Sequence, residues 1–221
     1  VSVIKKLAKN KGRGKICLIL NVPGPVELEG LEKVVDSVFA VFYPGMMGSK
    51  AMADILTGKV NPSGALPCTF PVRYEDTPSY LCYPDNITCN YGEGIYVGYK
   101  GYLKRGIKPL YPFGYGLSYT TFEYSPVTLD ASKVAAGKSV KAEVTVTNTG
   151  EVAGKEVVQM YLQDVVGSTT RPLRELKGFE KISVSQLGYG YIGINASYIP
   201  NIYLRRAIMA AMDTSLALQY Y

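Results

Sequence analysis

Residues 91–122 read YGEGIYVGYKGYLKRGIKPLYPFGYGLSYTTF. Tyrosine and glycine alternate through this stretch, with two compact blocks at 93–99 (EGIYVGY) and 111–119 (YPFGYGLSY). Upstream, the chain reads as mixed helix and strand; downstream, it reads as strands alone. The stretch is therefore a seam between two architectures. It divides the chain into residues 1–121, an α/β domain with a tyrosine- and glycine-rich linker, residues 122–185, an all-β domain, and residues 186–221, a tail that fits neither pattern.

Upstream of the seam, Val3, Ile4, Leu7 and Ala8 recur at helical spacing over residues 2–10, and Gly12 and Gly14 stop the helix. Residues 15–22 (KICLILNV) form a continuous apolar run of strand length. Such a run predicts a strand buried on both faces of a parallel sheet. Leu28, Leu31, Val34, Val35 and Val38 predict a short helical face that runs into a second buried strand, residues 37–43. Ser49 is expected to cap a helix with Ala51, Met52, Ile55 and Leu56 on its core face, stopped by Gly58. Residues 61–64 (NPSG) have the composition of a type I turn, and residues 66–72 return as an extended piece. Strands alternating with helices predict a partial α/β sandwich with a largely parallel sheet. Residues 73–90 read as an irregular surface loop.

Downstream, residues 122–129, 139–147, 156–162 and 175–184 alternate or carry β-branched residues, punctuated by Asn148-Thr149-Gly150. This pattern predicts an immunoglobulin-like or fibronectin III-like β-sandwich. It is incomplete, with about four strands against the roughly seven of a full sandwich. From Gln186 onward the pattern is neither charged nor alternating. Within that tail, residues 203–212 place Leu204, Ala207, Ile208 and Ala211 on one helical face.

The composition bounds the function classes. A chain of 221 residues, 47% hydrophobic and 19% charged, is globular rather than disordered. No apolar run reaches membrane-spanning length. The net charge of +6 gathers in Lys5, Lys6, Lys9, Lys11, Arg13 and Lys15. Those residues suit the solvated face and last turn of a helix, and no nucleic-acid reading motif follows them. Neither a nucleic-acid nor a membrane partner is expected. The first residues, VSVIKKLAKN, have neither an initiator Met nor a signal-peptide core and read as an internal piece. Cys17 and Cys68 lie in apolar runs and read as buried thiols. Cys82 and Cys89 flank a loop and could pair in an exported protein, and residues 86–88 and 195–197 are formal glycosylation acceptors. The compartment stays open.

The chemistry is narrowed first by the absence of histidine. Ser-His-Asp and Cys-His nucleophile systems and His-ligated metals are excluded. The glycines of residues 92–101 do not open a helix after a strand, so they make no dinucleotide site. No cofactor and no metal is expected. Carboxylates remain, and glycosidic cleavage usually employs two, about 5 to 9.5 Å apart. Glu93, set among Tyr91, Tyr96 and Tyr99, is the candidate, with Glu75 and Asp76 on the loop before it. Its alternative role is to hydrogen-bond the turn around Gly92 and Gly94. The tyrosines suit either stacking on a sugar or an inter-domain aromatic core with Pro112, Phe113 and Leu117. Glu93, Tyr91 and Tyr96 thus stand as candidates for the border of a substrate pocket, and no residue stands as catalytic.

Several motifs, in order, carry a family resemblance. Residues 58–71 (GKVNPSGALPCTFP), 92–99 (GEGIYVGY) and 111–122 (YPFGYGLSYTTF) resemble glycoside hydrolase family 3, the β-glucosidase-like enzymes. Residues 146–150 (VTNTG), 153–161 (AGKEVVQMY) and 171–179 (RPLRELKGF) resemble the fibronectin III-like domain that ends many of them. The resemblance covers about residues 1–185. It implies a (β/α)8 barrel bearing the nucleophilic Asp, an α/β sandwich lending an acid/base Glu, and retaining hydrolysis of a β-linked glucoside or xyloside from the non-reducing end. The implied partner is an oligosaccharide or glucoside bound through the barrel. A barrel of about 250 residues does not fit within this chain, and the family's acid/base Glu falls upstream of its first helix. No catalytic residue is therefore carried over, and the chain alone is expected to be inactive. Met46 and Met47 stand where the family often has polar residues. The rival readings are a non-catalytic module that binds carbohydrate or a separate barrel subunit, and a non-functional gene fragment.

Overall fold

The computed structural model describes residues 1–80, 82, 88–135 and 138–185, and the backbone of residues 189–195. The described chain forms two compact units. Unit 1 comprises residues 1–60 and 66–113; unit 2 comprises residues 61–65 and the chain from Gly114 onward. The division at Phe113/Gly114 falls within residues 91–122.

In unit 1, helix α1 (Ser2–Asn10) leads into strand β1 (Cys17–Leu20). Strand β2 (Ser37–Ala40) pairs parallel to β1, with Cys17 opposite Ser37 and Leu20 opposite Ala40. Asp36 ties these pieces together. Its carboxylate accepts from the Ile16 amide at 2.8 Å, Lys11 Nζ at 2.7 Å and Lys15 Nζ at 3.2 Å. The Lys11 hydrogen bond is the main reason its pKa lies far below the usual aspartate value. Two of the six basic residues near the N-terminus are thereby committed to one carboxylate.

The core of unit 1 is Leu20, Leu28, Leu31 and Phe70, with Ile4, Val38 and Leu110 among the residues packed on it. The expectation of strands buried on both faces is corrected. β1 alternates, with Leu20 buried but Cys17 and Ile19 exposed. Its burial has the period of two that follows when one sheet face is covered. Cys17 is accordingly an exposed thiol, while Cys68 is half-buried and its pKa is raised by burial. The helical face expected from Leu28 to Val38 shrinks to one 3-10 turn, Leu31–Lys33. Helix α2 runs Gly48–Leu56 with Met47 at its N-cap and no capping side chain, so Ser49 lies inside the helix rather than capping it. The third extended piece contributes an isolated bridge between Phe70 and Tyr111.

In unit 2, β3 (Phe122–Tyr124) and β4 (Thr128–Leu129) both pair antiparallel with β5 (Lys141–Asn148). The single strand expected over 122–129 breaks in two around Pro126, which has no amide to donate. β6 (Gly154–Leu162) and β7 (Glu175–Val184) form a second antiparallel pair. Val144 and Val146 of β5 meet Val158 of β6 in the core, with Phe122, Tyr124 and Ile182 around them. A further strand, β8 (Tyr189–Asn195), lies in the stretch read as tail and pairs with β5 along its whole length. The helix expected over 203–212 lies outside the described residues.

Residues 61–64 do not make the expected turn. Asn61 acts as a side-chain clamp: Oδ1 accepts from Ser118 Oγ at 2.9 Å and from the Tyr119 amide at 2.8 Å, and Nδ2 donates to the Ala153 carbonyl at 3.0 Å. Gly116 sits where an added Cβ would collide with the Gly64 carbonyl. That close backbone approach explains the second glycine of the YPFGYG block.

Tyr124 OH donates to Glu156 Oε1 at 2.8 Å, linking β3 to β6. Burial raises the Glu156 pKa above its ordinary 4.5, and the Tyr124 hydrogen bond opposes this. The folded state therefore holds this proton more tightly than the unfolded chain does. Its stabilising contribution is fully present below the unfolded pKa and is lost as pH rises through the raised folded value. Glu156→Gln keeps an acceptor for Tyr124 and removes the ionisation. The variant is expected to unfold at higher urea than the parent at neutral pH and to lose that advantage below about pH 4. Urea titrations at both pH values check this.

Candidate functional site

The seam contributes its first half to a cleft of about 670 Å³ within unit 1. One wall is the segment around Pro67, Cys68 and Thr69, which is held by the Phe70 bridge. The Phe70 amide donates to Tyr111 O at 2.8 Å, and the Leu110 amide to Phe70 O at 2.9 Å. Another wall is the loop at Thr77, Pro78 and Ser79. It follows a 3-10 turn, Tyr74–Asp76, whose Asp76 is buried. Arg73 Nη2 reaches Asp76 Oδ1 at 2.8 Å, and this contact is the leading cause of the lowered Asp76 pKa. The Arg105 guanidinium bonds the Asp76 carbonyl oxygen and lies 5.9 Å from the centre of the Tyr102 ring.

The third wall is helix α3, Tyr99–Arg105. The glycines before it lead into a helix, but not from a strand. Gly98 enters it at φ 59° and Gly106 leaves it in the left-handed region, the usual conformation at a helix end. No strand precedes it, so it is not a dinucleotide turn. Gly101, mid-helix, is there for space: a Cβ would overlap the Tyr96 carbonyl and come within 2.6 Å of Pro78 Cγ. That contact seats the helix against the Pro78 loop and brings Tyr99 and Tyr102 to the cleft. The Tyr99 ring stacks on Phe113 at 5.1 Å.

The three residues singled out from sequence separate here. Glu93 lines the cleft, and its Oε2 is buried with no hydrogen-bond partner among the described residues. Tyr91 is 82% exposed and is not among the lining residues. Tyr96 is not among them either; its ring lies under Lys104 Nζ at 5.5 Å, and its buried hydroxyl has no hydrogen-bond partner among the described residues. Sequence reasoning missed Thr69 and Tyr102. Both are buried and line the cleft, and their hydroxyls likewise have no hydrogen-bond partner among the described residues. Nothing in the run ALPCTFP marks Thr69. Tyr102 differs from its neighbours only in following the helical glycine. Burial is the main cause of a raised Tyr102 pKa, so its phenol stays protonated. Cys82 and Cys89 are free thiols. Asn86, of the first acceptor triplet, lies outside the described residues.

A parallel strand pair with helices, then antiparallel strand pairs, with a tyrosine-glycine stretch between them in the sequence, sets the class as an α/β unit followed by a β unit. Residues 1–119 match the glycosyl hydrolase family 3 C-terminal domain, and residues 156–186 match the fibronectin type III-like domain. The chain belongs to glycosyl hydrolase family 3. It is 46% identical over 171 residues to thermostable β-glucosidase B of Acetivibrio thermocellus, covering 77% of this chain and 22% of that protein. It is 45% identical over 157 residues to a β-glucosidase of Bacteroides ovatus, covering 69% of this chain and 21% of that one. Among solved structures, β-glucosidase 3B from Thermotoga neapolitana in complex with glucose superposes with a TM-score of 0.80 at 37% identity, over 88% of this chain and 28% of that one. The chain thus spans about a fifth of the length of the curated relatives it matches.

Proposed function

We propose that this chain is the C-terminal region of a β-glucosidase-type enzyme that removes β-linked glucose or xylose units from the non-reducing end by a retaining mechanism. The observation that carries the reading is the 46% identity to a β-glucosidase across the seam. In this reading unit 1 is the later part of an α/β sandwich and unit 2 a fibronectin III-like sandwich. Retaining hydrolysis needs a nucleophilic carboxylate and an acid/base carboxylate about 5 to 5.5 Å apart, and no residue of this chain matches the family's position for either. Glu93 is assigned to ligand contact rather than to bond cleavage.

The test is a chimera in which this chain replaces the matching 171-residue region of the Acetivibrio enzyme. It is expected to hydrolyse an aryl β-glucoside, with the β-anomer formed first by NMR. A folded but inactive chimera, or inversion, overturns the reading. The 221-residue chain alone is expected to show no turnover above buffer; turnover that Glu93→Gln abolishes overturns the assignment of Glu93. The cleft in unit 1 favours a second role for this region, carbohydrate binding without catalysis.

A further inference from the structure

The four cysteines fall in different surroundings. Cys17 lies on β1, and Cys68 packs beside the core of unit 1. Cys82 and Cys89 meet in one turn. The Cys82 amide donates to Ser79 O at 2.9 Å, which fixes the end of the loop after Pro78. Seven positions later, the Cys89 thiol faces the Cys82 carbonyl oxygen at 3.9 Å. Gly92, three residues further on, lies against the Cys82 sulfur: a Cβ there would stand 2.8 Å from Sγ. Unlike Gly94, Gly92 does not take a positive φ. What it supplies is room for the sulfur, since a side chain would need the space that Sγ fills.

Both sulfurs thus lie against the backbone of residue 82, one at its carbonyl and one on its own Cβ. Joining them calls on side-chain rotation and local adjustment of the turn. Cys89 is exposed and Cys82 half-buried, so an oxidant in solution reaches Cys89 first.

We propose that Cys82 and Cys89 form a reversible redox clip, closed by a disulfide-class oxidant such as oxidised glutathione and reopened by a dithiol. The Cys89 thiol gives up its proton, and its thiolate attacks one sulfur of the oxidant. A Cys89–glutathione mixed disulfide forms, and one glutathione thiolate leaves. The Cys82 thiol then loses its proton, and its thiolate attacks the Cys89 sulfur. The Cys82–Cys89 bond forms as the second glutathione leaves. The cysteine pair is oxidised by two electrons, and the oxidant is reduced to two thiols that take up the two protons. The clip fastens the end of the Pro78 loop to the chain entering the Gly92–Gly94 turn. It also closes a short loop, which restricts the unfolded chain.

The test incubates the 221-residue chain with excess oxidised glutathione at about pH 8, close to the ordinary thiol range. Remaining thiols are blocked, and the denatured, unreduced chain is digested with a protease that cuts before aspartate, at Asp85 between the two cysteines. Mass spectrometry is expected to find the Cys82 and Cys89 peptides joined, and to find them separate after dithiothreitol. The clipped chain should melt above the reduced chain by on the order of 5 °C. Cys82→Ser should stop at the Cys89–glutathione mixed disulfide and lose that rise. Cys17→Ser should clip and gain the rise as the parent does. Absence of the joined peptides, pairing of either thiol with Cys17 or Cys68 instead, an unchanged melting midpoint in the clipped parent, or the same rise in Cys82→Ser overturns the proposal.

Discussion

Phe70→Ala is expected to destabilise unit 1 by about 4 kcal/mol, the range found when a fully buried aromatic is truncated. Phe70 is 1% exposed and sits in one core cluster with Leu20, Leu28 and Leu31. Its ring meets Tyr111 edge-on at 6.2 Å, and its backbone carries the bridge to Tyr111. Truncation removes the dispersion contacts of the ring and leaves a cavity against strands whose positions are fixed by the parallel register. For a domain of this size the melting midpoint should fall by on the order of 15 °C. Phe70→Leu, which keeps most of the volume, should cost about 1.5 kcal/mol or less. Urea titrations of the two variants, followed by circular dichroism, separate these values. Equal losses in the two would mean that ring volume is not what Phe70 supplies. Because the same bridge holds the Thr69 wall, Phe70→Ala should also weaken any ligand of the cleft.

Asn148→Ala should cost unit 2 about 3 kcal/mol, because one buried amide serves three partners. Asn148 is 1% exposed. Its Oδ1 accepts from Thr120 Oγ1 at 2.6 Å and from the Gly150 amide at 3.0 Å, and its Nδ2 donates to the Val152 carbonyl at 2.8 Å. The side chain thereby closes the turn from β5 to β6 and fastens it to the chain entering β3. Removing it strands two donors and an acceptor. Asn148→Asp is isosteric yet should be worse at neutral pH, since it buries a charge and faces an oxygen toward the Val152 carbonyl. Burial raises the pKa of such a carboxyl, so its stability should recover on acidification, a trend absent in the Ala variant. Thermal melts at neutral and acid pH distinguish the two. A flat pH response in Asn148→Asp would place the amide outside the buried network.

The family was legible because its motifs are turn and close-approach residues, whose chemistry is local. Tyr111-Pro112-Phe113-Gly114 and Asn148-Thr149-Gly150 carry their constraints in the residue types themselves. The parallel pair β1–β2, helices α1 and α2, and strands β5, β6 and β7 followed from apolar periodicity, which is also a local signal. Three features were not legible in that way. Periodicity gives the apolar stripe of a strand but not what covers it, so the apolar run over 15–22 predicts burial of Cys17 and Ile19, which the fold leaves exposed. β8 carries two glycines, Gly190 and Gly193, which weaken its local strand signal, and its pairing with β5 is a long-range contact that the local pattern does not record. The Asn61 clamp joins residues that lie 57 and 92 positions apart.

The tyrosine-glycine seam shows the same division. Residue types alone mark residues 91–122 as the family's signature and Glu93 as the carboxylate to follow. Which tyrosines accompany it depends on the fold. Tyr91 and Tyr96 are its neighbours in the chain, but Tyr99 and Tyr102 are the tyrosines of α3 that line the cleft with it. Thr69 arrives from a distant segment through one backbone bridge. Adjacency in sequence specifies a turn, whereas convergence on a cleft depends on helix phase, the space left by Gly101 and a long-range pairing at Phe70, and a one-dimensional pattern records none of these.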